Sequence, residues 1–154
     1  MRRFFRPRSQ SALASSGLAI LRIVAGAAMM YHGFDKIQTP FDWADPGLEI
    51  SGGLQALAAL SEFGGGLAWV LGFLTPLASL GMIATMAKAV HLHAIVWGDP
   101  FVSKGDGSYE LAAIYLAIAF ALLFIGPGRF SVDQALFGSG SRHVDDDDED
   151  DWDE

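Results

Sequence analysis

Five charged residues lie in or at the edges of the apolar segments of this chain: Arg22, Lys36, Glu62, Lys88 and Glu110. A charge at the centre of a bilayer costs at least about 2.5–3.5 kcal/mol on insertion scales, so such groups usually face a protein interior and pair with one another. An acid and a base held together in an apolar environment can hydrogen-bond a polar headgroup and pass protons. Acid–base or ligand-binding chemistry inside a membrane is therefore the first hypothesis.

The turn at Thr75-Pro76 determines the expected depth of two of these charges, because the segments on either side of it must be antiparallel neighbours. Glu62 lies about 13 residues before the turn and Lys88 about 12 residues after it, which places both about 19 Å from the turn at 1.5 Å per residue. We therefore predict an ion pair between Glu62 and Lys88. The pair either fixes the register of two helices or takes part in function, and the sequence leaves both roles open.

Further polar side chains are expected at the same end of the molecule. His91 shares a helical face with Lys88 and is expected inside, whereas His93 points roughly the opposite way, toward lipid headgroups or another wall. Arg22 lies near the other end, where it can snorkel to the headgroups. The predicted polar, ligand-binding cluster comprises Glu62, Lys88, His91, Glu110, His32 and Lys36, with Arg22 as an outlying member.

No catalytic residue and no metal site can be assigned from these residues. Two histidines at positions i and i+2, such as His91 and His93, cannot both bind a metal from one helix face. The chain contains no cysteine, which excludes thiolate nucleophiles and iron–sulfur ligation by its own side chains. No cofactor-binding motif is recognisable.

The elements that must position this cluster are long apolar segments. Crossing the hydrocarbon core takes about 20 residues of helix, and four segments of about that length are mostly apolar on every face: residues 17–34, 54–74, 77–97 and 109–125. A soluble helical bundle would instead have one apolar stripe on each helix. We predict an all-α integral membrane protein, a four-helix transmembrane bundle whose polar half lies at the outer side and whose site opens outward.

Basic residues indicate the orientation of this bundle. Six arginines flank its two ends in the sequence, at positions 2, 3, 6, 8, 129 and 142, whereas the two long connections between spans hold only Lys36 and Lys104. Because cytoplasmic segments are enriched in Lys and Arg, we predict that both termini are cytoplasmic. The expected location is the cell (plasma or inner) membrane.

The net charge of −8 comes from the end of the chain. Nine of the eighteen acids lie in residues 145–154, and residues 1–144 carry nine acids against ten bases. We predict a basic arm at residues 1–16, a membrane domain at 17–138, and a disordered, solvated tail at 139–154. The acidic balance therefore does not indicate a basic partner, and the basic arm fits a membrane surface better than nucleic acid.

Three segments resemble the DoxX family of small membrane proteins. They are SEFGGGLAWVLGFLTPLASL (61–80), MMYHGFDKI (29–37), and YELAAIYLAIAFALLFIGPGRFSVDQALFG (109–138). The resemblance carries over Arg22, Lys36, Glu62, Lys88 and Glu110 as candidate family positions. The basic arm and the aspartate tail do not resemble family features.

The resemblance implies a role as a subunit of a quinone-linked membrane oxidoreductase or of a redox-stress complex. A quinone would be the ligand, and a partner protein subunit would supply the electrons. The alternative is a non-catalytic binding or assembly module with an outward-facing hydrophobic ligand cavity. Whether the chain is itself an enzyme stays open, and a homo-oligomer is compatible with either role.

Overall fold

The computed structural model describes residues 10–105 and 107–138, and these residues form helices joined by turns and loops. The elements are α1 (Ala12–Gln38), α2 (Gly52–Leu71), α3 (Thr75–Val96), α4 (Glu110–Ile125) and the short α5 (Val132–Phe137). By length and composition α1, α2 and α3 can each cross a membrane. Helix α4 is apolar but has only 16 residues, or about 24 Å. The all-α membrane architecture is confirmed; a fourth span and its orientation remain predictions.

The helices pack in chain order, α1 on α2, α2 on α3 and α3 on α4. Two ends result. The loop end is formed by residues 39–51, 97–105 and 107–109, and the turn end is formed by residues 72–74 and 126–138. The Gln10 side chain donates to the carbonyl of Ile125, so both limits of the described chain lie at the turn end. The buried core between the helices contains Ala25, Met29, Trp69, Met82, Met86, Tyr115, Ala119 and Leu122.

Helices α1 and α2 approach closely because glycines meet at their crossing. A Cβ added to Gly26 would lie 2.5 Å from the carbonyl oxygen of Gly66, and one added to Gly66 would lie 2.7 Å from that of Gly26. One added to Gly33 would lie 2.5 Å from the backbone nitrogen of Phe63. These glycines therefore form the packing face between α1 and α2, and small residues at such faces are usual for helix contacts in lipid.

Two turns of π-helix interrupt the long helices, at Leu60–Gly64 in α2 and Leu92–Val96 in α3. A π-turn accommodates one extra residue, so it changes which face the following side chains occupy, and such turns often occur at functional sites. Each of these two turns contains a charged or titratable residue, Glu62 in the first and His93 in the second.

The outward faces of the spans are apolar. At most 28% of the most apolar window of α1, α2 or α3 is buried within the chain, and large side chains such as Ile20, Val24 and Leu57 are more than half exposed. An apolar surface of this extent is unfavourable in water and suits contact with lipid.

Near its start, α1 is longer than the sequence predicts. It begins at Ala12, and the Ser11 hydroxyl caps it by accepting from the Ala14 amide, so the last residues of the predicted basic arm are already helical. Residues 1–9 and the predicted tail 139–154 lie outside the described residues.

Candidate functional site

A buried ion pair joins α1 to α2 near the loop end. The Lys36 ammonium nitrogen lies 2.6 Å from Glu62 Oε1 and 2.7 Å from Oε2, so it donates to both carboxylate oxygens. The Glu62 side chain is 4% exposed and that of Lys36 is 28% exposed. The pair thus has one deeply buried member and one that can be approached from outside the bundle.

Local structure on both helices brings these two side chains together. On α1, Gly33 packs directly on the backbone of Glu62 and Phe63, and Lys36 follows one helical turn later on the same face. On α2, Glu62 lies at the centre of the π-turn. Replacing Gly33 by any larger residue would separate the two backbones and with them the ion pair.

The loop after α1 covers this pair with an aromatic ring. The Lys36 ammonium lies 4.6 Å from the centroid of the Trp43 indole, a favourable cation–π distance. Gln55 holds Trp43 in place. Its side-chain oxygen accepts from the backbone amides of Trp43 and Ala44, and its backbone carbonyl accepts from the indole N–H. Sequence reasoning missed Gln55, although a glutamine among apolar residues in the first turns of α2 was a usable signal.

The predicted Glu62–Lys88 ion pair was wrong. On α2 it is Ser61, the residue before Glu62, that faces α3, since its hydroxyl lies 2.9 Å from where a Cβ on Gly81 would be. Glu62 is turned about 100° from Ser61 and faces α1 instead. Lys88 is seven residues beyond Gly81, about 10 Å nearer the loop end. It is exposed and forms no ion pair within the described residues.

The other predicted members do not join the pair. His91 is exposed, so its predicted position beside Lys88 inside the bundle was wrong. His32 is exposed, with its ring edge-on to Tyr115 at a centroid distance of 6.3 Å. Glu110 is half-buried in the first turn of α4, where its charge is favourable to the helix dipole. The structure therefore selects Lys36 and Glu62 from the predicted cluster.

Comparison with known proteins bears on these two residues. The model of the DoxX family matches residues 17–95, slightly more than half of the chain. The chain belongs to the DoxX family. The matched segment covers most of α1, all of α2 and α3 up to residue 95, and it includes Lys36 and Glu62. Comparisons with curated proteins and with solved structures gave no match.

A second buried polar group of this DoxX protein lies at the turn end. Arg22 is 1% exposed and donates to the carbonyls of Trp69 (3.2 Å) and Phe130 (2.5 Å). The predicted snorkelling was therefore wrong, because both terminal nitrogens of the guanidinium bond to backbone carbonyls inside the protein. Trp69 lies in the last turn of α2, where a cation is favourable to the helix dipole.

Asp133 is a second buried charged residue at the turn end, and it bonds to the start of α3 where Arg22 bonds to the end of α2. It is fully buried, and its carboxylate accepts from the amides of Leu74 (2.7 Å) and Thr75 (2.9 Å) at the start of α3. Ser131 and Gln134 begin α5 with a capping interaction, the hydroxyl accepting from the Gln134 amide. The two buried charged residues at the turn end, Arg22 and Asp133, thus bond to backbone groups at the end of α2 and the start of α3.

Metal binding finds no support in the arrangement of these side chains. Across residues 10–105 and 107–138, no three His, Asp or Glu side chains come together in a way that could hold a metal ion.

Proposed function

We propose that this DoxX protein is a membrane subunit of a quinone-linked oxidoreductase or of a redox-stress complex, and that Lys36 and Glu62 bind the quinone headgroup. The observation that carries the proposal is the buried ion pair itself: a carboxylate at 4% exposure bonded to an ammonium group at 28% exposure. Ionisable groups in a membrane are costly, and function is the default reason for their presence.

The pair has the hydrogen-bonding capacity that a quinone requires. An ammonium group has three N–H donors, and Glu62 takes two of those of Lys36. The third can donate to a quinone carbonyl, which only accepts. Glu62 can hold a proton for the headgroup, whose reduction to the quinol consumes two protons and two electrons. The electrons would come from a redox partner subunit, because a chain without cysteine has no thiols for electron transfer.

The surface next to the pair suits a ligand with a polar head and an apolar body. Phe34 and Phe63 are neighbours in the sequence of Lys36 and Glu62, and their rings lie 6.3 Å apart at a tilt of 48°. Phe34 is 54% exposed on the lipid-facing side of α1. A headgroup at Lys36 could thus contact aromatic rings while its isoprenoid chain stays in the bilayer.

Quinone content tests the proposal directly. The protein is purified in mild detergent from native membranes, and its quinone is extracted and quantified for the wild type, Lys36→Met and Glu62→Gln. We expect quinone to co-purify with the wild type and to be depleted in both variants. Lys104→Met and Glu49→Gln, which change exposed loop residues, serve as matched controls. Wild-type protein free of quinone, which also fails to bind added quinone in nanodiscs, would contradict the proposal.

A non-catalytic binding or assembly module is the second candidate, and one observation favours it. Both Glu62 oxygens are already bonded to Lys36, which is what a purely structural link between α1 and α2 requires. The charge swap Lys36→Glu with Glu62→Lys distinguishes the two roles. A swapped protein that folds and retains quinone supports the structural link; one that folds and loses quinone supports direct contact with the headgroup.

Placement of both described ends on the cytoplasmic side of the plasma or inner membrane is part of the same proposal. Because the chain has no cysteine, single introduced cysteines report on sidedness without background. We expect Ala135→Cys, at the turn end, to react with an impermeant maleimide only after the cells are lysed. Ser103→Cys, at the loop end, should react in intact spheroplasts. The reverse pattern would place both ends outside.

A further inference from the structure

A histidine–carboxylate pair lies at the loop end of α3, outside the Lys36–Glu62 site. His93 Nδ1 is 2.7 Å from Asp99 Oδ2, and the two side chains are 33% and 22% exposed. The Trp97 ring meets the imidazole edge-on at a centroid distance of 4.6 Å. The sequence prediction turned His93 toward headgroups or another wall; in the structure its ring is held on two sides by residues of its own segment.

The loop after α3 is shaped to hold this pair. The Asp99 amide donates to the His93 carbonyl, so backbone and side chain both connect the two residues. Gly98 provides a left-handed turn between them, with φ +71. Gly107, with φ +78, lies so close to the carboxylate that a Cβ there would be 2.6 Å from Asp99 Oδ1. Two left-handed glycines, a π-turn and a packed tryptophan thus all lie next to the His93–Asp99 pair.

This geometry determines which imidazole nitrogen is available. An ionised carboxylate only accepts hydrogen bonds, so Nδ1 must carry the proton that it donates to Asp99. In the neutral ring Nε2 is then an acceptor, and within residues 10–105 and 107–138 it has no hydrogen-bond partner.

Large apolar side chains lie close to His93 in the sequence. Five of them are half or more exposed: Ile95, Val96, Trp97, Phe101 and Val102. A ligand that bonds to this acceptor and covers these side chains would combine a hydrogen-bond donor with an apolar body. The oxidised quinone has no O–H group, whereas the reduced quinol has two.

We propose that His93 and Asp99 form a quinol-binding dyad, in which Nε2 accepts a hydrogen bond from a hydroxyl group of the reduced headgroup. The inference rests on the proposed function and extends it by assigning the reduced form of the ligand to a second place on the chain. The hydroxyl proton can pass to Nε2, which leaves a quinolate and an imidazolium paired with the Asp99 carboxylate. No electron moves in this step.

Other charged and titratable groups lie near the dyad along the chain. Lys88 and His91 precede His93 on α3, Lys104 follows Asp99 in the loop, and all three are exposed. Tyr109 and Glu110 lie at the start of α4, the helix that packs against α3, and the Tyr109 amide lies 3.4 Å from the Pro100 carbonyl. Among the described residues the imidazole is paired with Asp99, so the effect of the dyad is tested on Asp99 as well as on His93.

Equilibrium binding of a matched set of probes tests the dyad. The full chain in nanodiscs is titrated with a short-chain alkyl hydroquinone, with its dimethyl ether, and with the corresponding quinone. We expect His93→Leu, which removes the acceptor, to weaken hydroquinone binding about 3- to 10-fold, the value of one lost hydrogen bond, and to leave the dimethyl ether unchanged. Asp99→Asn should weaken hydroquinone binding less. His91→Leu, at an exposed histidine two residues away, should have no effect.

The outcomes separate this inference from the proposed function. If the wild type binds quinone and hydroquinone and His93→Leu binds both equally well, the dyad is refuted while the proposed function stands. If His93→Leu weakens the dimethyl ether as much as the hydroquinone, the residue acts on shape and the hydrogen bond is refuted. If the wild type binds neither quinone nor hydroquinone, both proposals fail.

Discussion

The Lys36–Glu62 pair allows a quantitative prediction, because its two members are buried to different degrees. Lys36→Met leaves a carboxylate at 4% exposure without a counter-charge, and removing one member of a buried pair costs about 3–5 kcal/mol. Glu62→Gln leaves an ammonium group at 28% exposure beside Trp43. Water screens that charge, so we expect a smaller loss of about 1–3 kcal/mol.

The double variant Lys36→Met with Glu62→Gln completes the cycle. It leaves no uncompensated charge, and replacement of a whole buried pair by neutral groups of similar volume is often nearly neutral. We therefore expect the double variant to be more stable than Lys36→Met alone, with a coupling free energy of about 3 kcal/mol between the two positions.

The assay is unfolding in mixed micelles by titration with sodium dodecyl sulfate, followed by tryptophan fluorescence and far-ultraviolet circular dichroism. Glu49→Gln and Lys104→Met are the controls. If the losses of the two single variants simply add in the double variant, the pair contributes no coupling and the reasoning is refuted. The same holds if Lys88→Met, which the sequence prediction would make the costly change, destabilises the protein as much as Lys36→Met.

Three further changes test the packing and the caps, with the same unfolding measurement. Gly66→Ala should destabilise the protein by about 2 kcal/mol or more, because its Cβ would lie 2.7 Å from a backbone oxygen of α1. Gly17→Ala should not destabilise it, because a Cβ there meets nothing within 4 Å. Equal effects of the two changes would contradict the close contact between α1 and α2. Asp133→Asn should cost about 1–2 kcal/mol, since a charged cap becomes neutral, and an unchanged midpoint would show that the Thr75 amide does not depend on it. Gln55→Leu should release the loop that carries Trp43 and speed proteolysis at residues 39–51, with little change in global stability. A protease pattern like that of the wild type would show that the Gln55 hydrogen bonds do not hold this loop.

Much of the fold followed from local pattern. Hydropathy located α1 to α4, because burial in lipid depends on the composition of each segment alone. The break between α2 and α3 also has local causes: Gly72 adopts a left-handed conformation, and Pro76 suits the first turn of a helix.

The site was only partly predictable. The sequence singled out Lys36 and Glu62 as costly charges but paired Glu62 with Lys88, because a count of residues from the turn gives depth and does not give the direction of a side chain. The π-turn at Leu60–Gly64 lies within that count and leaves no mark in hydropathy. Gln55 and Asp133 were missed as site residues because each bonds to backbone amides of a segment that is distant in the sequence. Asp99 was missed because it lies in a loop and bonds to a ring on the preceding helix.

By itself, then, the sequence determined that this protein is helical, lies in a membrane and carries charges that need partners, since each of these properties depends on residue type along one segment. Only the tertiary structure decided which charges meet. Lys36 reaches Glu62 because Gly33 lets α1 contact the backbone of α2. Arg22 donates inside the protein because the turn end brings carbonyls from two other segments to its terminal nitrogens. Pairing requires distance and direction between segments, and these are fixed by the packing of helix against helix.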